Sequence, residues 1–106
     1  MIIFIIGGAG YIGSHMVKIA HMAGHNVITL DNLSTGHQDA VLYGKFEFCD
    51  ILNSEEIDRV FKKHKPDAVM HFSAYSLVGE SMIDPYKYYN NNVSGTLSLL
   101  KVMIDN

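Results

Sequence analysis

Ile2-Ile3-Phe4-Ile5-Ile6-Gly7-Gly8-Ala9-Gly10-Tyr11-Ile12-Gly13 joins an unbroken, mostly β-branched apolar run to a turn made largely of glycine. Consecutive apolar residues with no polar alternation read as a strand covered on both faces, the pattern of a parallel sheet. The glycines end that strand and allow a sharp turn, because Gly adopts positive φ without steric cost. Beyond them the spacing predicts a helix from about Tyr11 to Ala23. Its apolar stripe is Ile12, Met16, Ile19, Ala20 and Ala23, and Gly24 is its stop.

The glycines fit two spacings at once, G-x-G-x-x-G from Gly8 and G-x-x-G-x-x-G from Gly7. Between a buried strand and a helix, either spacing makes a cradle for a diphosphate. A side chain on the turn would hold a pyrophosphate away from the backbone N–H groups. The last glycine lets helix and strand pack closely, and the helix N-terminus offers unpaired N–H groups and about half a positive charge. Val27 to Leu30 reads as a second buried strand ending at Asp31, eighteen residues after Gly13. A carboxylate there can accept both hydroxyls of an adenosine ribose and would repel a 2′-phosphate, so these residues predict a dinucleotide site that favours NAD over NADP. The competing reading is a plain glycine turn with Asp31 as a solvated strand end.

The stretch from Asn32 to Gly44 is loop-like, and Lys45 to Phe48 is a weaker third strand. Asn53 or Ser54 can cap a helix with Glu55 and Glu56 in its first turn and Lys62, Lys63, His64 and Lys65 in its last, which matches the helix dipole. Ile57, Val60 and Phe61 supply its buried face, and Pro66 ends it. Ala68 to Phe72 is a fourth strand. Asp84 then caps a long helix with Pro85 at its first position and a stripe of Tyr86, Tyr89, Val93, Leu97, Leu100 and Ile104. The order β-α-β-β-α-β-α implies right-handed crossovers and a parallel sheet. The expected architecture is a partial doubly wound α/β fold of about four strands in the order 3-2-1-4, with helices on both faces.

The 106 residues suffice for one small domain, and 48% apolar content supports a packed core. A net charge of −3 argues against an electrostatic grip on nucleic acid or anionic membrane. No run approaches the roughly 18 apolar residues of a membrane span. Cys49 stands alone, so no internal disulfide forms and a cytoplasmic setting is expected. His21 and His25 are four apart, but Gly24 breaks the helix between them and no carboxylate joins them, so no metal site is expected. His71 reads as a core histidine and Cys49 as a small buried hydrophobe.

Six ordered segments, Gly7–His15, Leu30–Gly36, Cys49–Ile51, His71–Ala74, Val78–Ser81 and Tyr88–Thr96, resemble the extended short-chain dehydrogenase/reductase family. Within it the resemblance is to the branch that epimerises UDP-sugars at C4. It runs over essentially the whole chain and implies a Rossmann domain with NAD as cofactor. Gly7, Gly10, Tyr11 and Ile12 would then hold the pyrophosphate, and Asp31, with Asn32 beside it, the adenosine ribose. Asp50 would accept from the adenine amino group and Ile51 would offer its backbone N–H to the ring. Phe72, Ser73 and Ala74 would line the cofactor after the fourth strand, and Asn91 would reach back from the long helix. Three positions depart from the pattern: Ile6 stands where Thr is frequent, Cys49 where Gly is common, and Ser76 where some members carry a Lys.

The chemistry that the resemblance implies uses a Tyr-x-x-x-Lys pair, in which the Lys charge lowers the Tyr pKa so that a phenol can act as a base. No Tyr in this sequence has Lys four residues on, so no catalytic residue is assigned. The expectation is therefore the N-terminal part of an NAD-binding domain, inactive by itself. The catalytic segment and the domain for the UDP-sugar substrate would lie outside these residues. The fourth strand would have an open edge and could self-associate. A related nucleotide-sugar dehydratase or decarboxylase is the alternative within the family, and a non-catalytic nucleotide-binding or self-assembling module the alternative outside it.

Overall fold

The apolar run of the N-terminus forms the centre of a four-stranded parallel sheet in the order β3-β2-β1-β4. The structure, a computed structural model, describes residues 1–73 and 78–106, and side chains outside 74–79. β1 (Ile2–Ile6) pairs with β2 (Asn26–Asp31) from Ile2 opposite Asn26 to Ile6 opposite Leu30. β4 (Ala68–His71) flanks β1 on the other side, with Ile6 opposite His71. β3 (Lys45–Phe48) lies outside β2, with Asp31 opposite Phe48. The order and the all-parallel pairing are those expected from the sequence.

Helices cover both faces because the central strands β1 and β2 are buried on both sides. α1 (Tyr11–Met22) lies on one face, where Val17 and Ala20 pack on Ile3, Ile5 and Val27. α2 (Ser54–His64) and α5 (Thr96–Asp105) lie on the other, where Ile57, Val60, Phe61, Leu99 and Val102 pack on Phe4, Ile6, Ile28 and Leu30. The Phe4 and Phe61 rings meet edge to face at 5.0 Å. Burying a side chain of this size contributes about 1.5–3 kcal/mol.

α2 begins as expected: the Asn53 side chain accepts from the Glu56 N–H at 3.2 Å. It ends at Lys65, whose φ of 50° is left-handed, just before Pro66. Glu47 on β3 takes Lys63 Nζ at 2.7 Å and His64 Nε2 at 2.8 Å, which ties the sheet edge to the last turn of α2. α3 (Val78–Ile83) precedes α4 (Pro85–Tyr89), where Asp84 caps by accepting from the Lys87 N–H at 3.2 Å. A π-helical turn, Asn90–Gly95, then joins α4 to α5. The expected long helix is thus one helical run with a widened turn in its middle.

The expected stripe of α1 is buried only in part, at Met16 and Ala20, and that of the long helical run faces the wrong way. On α1 the buried residues are Gly13, Val17 and Ala20, while Ile12 and Ile19 are exposed. On the long helical run the buried residues are Tyr88, Asn91, Gly95, Leu99 and Val102, while Tyr86, Tyr89, Val93, Leu97, Leu100 and Ile104 are exposed. The reason is close approach. Each helix presses one glycine against the turn or loop beneath it, Gly13 on the Gly7 carbonyl and Gly95 on Ile51, and that contact sets which face turns inward. Among the described residues no helix is long and apolar enough to cross a membrane.

Candidate functional site

The carboxyl ends of parallel strands are the ligand edge of an open α/β sheet. A cleft lies there, between the ends of β1, β2 and β4 and the π turn. Its floor is the glycine turn. Gly7 has φ of 82°, a left-handed conformation that favours glycine. The Gly7 N–H donates to the Leu30 carbonyl at 2.7 Å, and the Gly7 carbonyl accepts from the Gly10 N–H at 3.1 Å. α1 starts so close behind that a Cβ on Gly13 would sit 2.1 Å from the Gly7 oxygen. At Gly10, by contrast, a Cβ would touch only the Gly7 oxygen, at 3.3 Å, and would otherwise stand in the cleft. That space and the free N–H groups of the first turn of α1 are what a diphosphate needs.

Asp31 ends β2 beside this turn. Its Oδ2 accepts from the Ala9 N–H at 3.0 Å and its Oδ1 from the Leu33 N–H at 2.8 Å. The carboxylate thus ties the glycine turn to the loop after β2, and Leu33 takes the left-handed φ of 61° that this turn requires. Asn32 makes a similar local turn, accepting from the Ser34 N–H at 3.0 Å.

Of the residues expected at the site, Gly7, Gly10, Asp31, Asn32, Ile51, Phe72, Ser73 and Asn91 all line this one cleft. The Phe72 N–H donates to the Ile6 carbonyl at 2.7 Å, so the chain leaves β4 directly over the glycine turn. Asn91 is 5% exposed and donates to the Ser73 carbonyl at 2.9 Å, which draws the π turn onto the strand end. Three expected residues do not line the cleft. Tyr11 and Ile12 turn their side chains to solvent, so only their backbone N–H groups at the start of α1 are available. Asp50 is a turn residue: its Oδ1 accepts from the Leu52 N–H at 2.9 Å and its own N–H donates to Glu56 Oε2 at 3.2 Å. Ala74 lies outside the described residues.

The lining also contains Ile6, Leu30, Ser34, Thr35 and Cys49, which sequence reasoning did not assign to the site. Ile6 and Leu30 could have been found, since each stands at the C-terminal end of a parallel strand. Ser34 and Thr35 sit in a loop with no periodicity to place them. Cys49 is buried, and burial pushes its thiol up to about 12, so it packs as an uncharged apolar group. Burial likewise holds His71 below the ordinary imidazole value. Among the described residues no three His, Cys, Asp or Glu side chains gather as a metal site would require.

A profile of the NAD dependent epimerase/dehydratase family matches residues 3–106. The chain is 50% identical over 106 residues to the UDP-glucose 4-epimerase of Lactobacillus helveticus, covering 99% of this chain and 32% of that one. It is 45% identical over 102 residues to the UDP-glucose 4-epimerase of Rhizobium meliloti, covering 96% and 31%. The crystal structure of UDP-glucose 4-epimerase from Brucella ovis in complex with NAD superposes with a TM-score of 0.93 at 48% identity, over 95% of this chain and 31% of that one. The chain therefore spans about a third of the length of the curated relatives it matches.

Proposed function

This chain belongs to the NAD dependent epimerase/dehydratase family, and we propose that the cleft at its strand ends holds the adenosine and pyrophosphate part of NAD. The observation that carries this reading is the glycine turn with the Asp31 carboxylate bonded directly to it. Gly7 and Gly10, with the N–H groups of Tyr11 and Ile12, hold the diphosphate. The Asp31 carboxylate keeps further lone pairs for the ribose hydroxyls, and Asn32 adjoins it. The Ile51 N–H meets the adenine, with the Asp50 carboxylate on the turn beside the cleft as its second partner, and Phe72, Ser73 and Asn91 form the opposite wall; the role expected of Ala74 lies outside the described residues. NAD, when bound, supplies the hydride acceptor for chemistry at a sugar carbon.

The likeness to UDP-glucose 4-epimerases supports a parent activity that interconverts UDP-galactose and UDP-glucose. Residues 1–106 are then the N-terminal part of the dinucleotide-binding domain, with the Tyr-x-x-x-Lys pair and the sugar-nucleotide domain outside them. These residues alone bind nucleotide and do not turn over sugar. A lone buried thiol fits a cytoplasmic setting. Among the described residues the side of β4 away from β1 carries no strand, which supports association between copies through Ala68–His71.

Isothermal calorimetry with NAD and ADP-ribose tests the binding. Similar affinity for both is expected, since the contacts lie on the half the two share. Binding to neither, by a chain that unfolds cooperatively, refutes the proposal.

A further inference from the structure

His71 does not line the cleft, yet two of the lining residues are held through it. Its Nε2 lies 3.1 Å from Thr96 Oγ1, at the start of α5. The Thr96 hydroxyl gives its one proton to the Asn92 carbonyl, at 2.7 Å, inside the π turn. Thr96 must therefore accept from His71, which puts the imidazole proton on Nε2. The other side of the ring requires the same tautomer. Nδ1 faces the Ser73 N–H at 3.4 Å and the Ser73 hydroxyl at 3.0 Å, and a backbone N–H can only donate. Ser73 in turn offers its carbonyl to Asn91 Nδ2 at 2.9 Å, which closes a ring of contacts between the end of β4 and the π turn.

We propose that His71 is a positioning residue for the nucleotide site: as the neutral Nε2–H tautomer, anchored by Thr96, it fixes Ser73 and, through the Ser73 carbonyl, Asn91 at the cleft wall. This rests on the reading of the cleft as a nucleotide site. A wall residue held by a supporting layer of hydrogen bonds loses less freedom when ligand binds, and that preorganisation is what His71 supplies. Neither His71 nor Thr96 need touch the ligand.

The test pairs imidazole ¹⁵N NMR with calorimetry on the 106-residue chain. In the unaltered chain the His71 signals should be those of a protonated Nε2 and an unprotonated Nδ1. Thr96→Val should leave Nε2 protonated, because Ser73 still donates to Nδ1, but should shift the Nε2 resonance as its acceptor is lost and weaken ADP-ribose about tenfold, the effect of one neutral hydrogen bond. Thr96→Ser, which restores the hydroxyl, should return affinity to within about twofold. If Thr96→Val does not fold cooperatively, His71→Asn takes its place: it keeps an acceptor for Ser73, cannot reach Thr96, and should show the same weakening. A folded Thr96→Val or His71→Asn with unaltered affinity, or an unprotonated Nε2 in the native chain, overturns the role while leaving the nucleotide site standing. Absence of ADP-ribose binding by the unaltered chain overturns both.

Discussion

Replacing Asp31 by Asn separates the role that the structure gives to its carboxylate from the one proposed for it at the ribose. Each oxygen now accepts one backbone N–H, Ala9 on one side and Leu33 on the other. The amide keeps a single acceptor, so one of those N–H groups loses its partner, at a cost of about 1–3 kcal/mol. The site is half-buried and open to water at the cleft, which puts the stability loss near the bottom of that range. Ligand affinity should fall for a further reason: the charge-assisted bond to a ribose hydroxyl is lost, about 1.5–3 kcal/mol, or roughly 10- to 150-fold in Kd. Urea unfolding reads the first effect and calorimetry with NAD and ADP-ribose the second. Adding NADP as a third ligand sharpens the test, because removing the negative charge should narrow the gap between NAD and NADP. A variant that loses stability but binds NAD as tightly as before would refute the reasoning, and would leave Asp31 as an anchor of the turn and nothing more.

Gly13→Ala should be more severe in stability: a Cβ 2.1 Å from the Gly7 oxygen forces α1 off the turn, and overpacking of this kind costs about 1–3 kcal/mol or more, measurable as a shift in the urea midpoint. Thr29→Val should stabilise by about 1 kcal/mol in the same assay, because the buried Thr29 hydroxyl finds no hydrogen-bond partner among the described residues; a loss of stability would mean that the hydroxyl is satisfied. Acid should weaken the fold in two stages, followed by circular dichroism against pH. The His71 value is lowered from 6.5 by burial, so the unfolded chain takes up its proton first: stability is full above about pH 6.5 and declines as pH falls from there through the folded value. Glu47 is lowered from 4.5 by its bonds to Lys63 and His64, so its contribution is present above pH 4.5 and lost below it. Removing the first stage with His71→Gln while keeping the second would assign the two.

The sheet was legible because its signals are local and redundant. Ile2 to Ile6 and Val27 to Leu30 can be little else than strands covered on both faces, and their order follows from the crossover rule once α1 and α2 are recognised. The glycine turn was legible for a related reason. Its function depends on the absence of side chains, and an absence at fixed spacing is visible in a sequence. The face of α2 was legible, since Ile57, Val60 and Phe61 are buried as expected, but the faces of α1 and of the long helical run were not, because the usual rule assigns burial to the largest apolar residues. In both, a glycine contact sets the face: Gly13 lies on the Gly7 carbonyl, and Gly95 on Ile51, where a Cβ would sit 2.6 Å from the Ile51 Cδ1.

Asn91 was expected at the site, and what escaped the sequence is the network that holds it there. Asn90-Asn91-Asn92 looks like poor helix, and it is: the run forms a π turn, whose extra width carries Asn91 inward to the Ser73 carbonyl. Nothing in the spacing announces that Thr96 and His71, twenty-five residues apart, share a hydrogen bond. Motifs locate groups that touch a ligand because those groups sit on turns and strand ends with their own local signatures. The residues that hold such groups still are found only where the chain returns to itself, so the wall formed by Ser73 and Asn91 is as dependent on β4 and α5 meeting as on its own side chains.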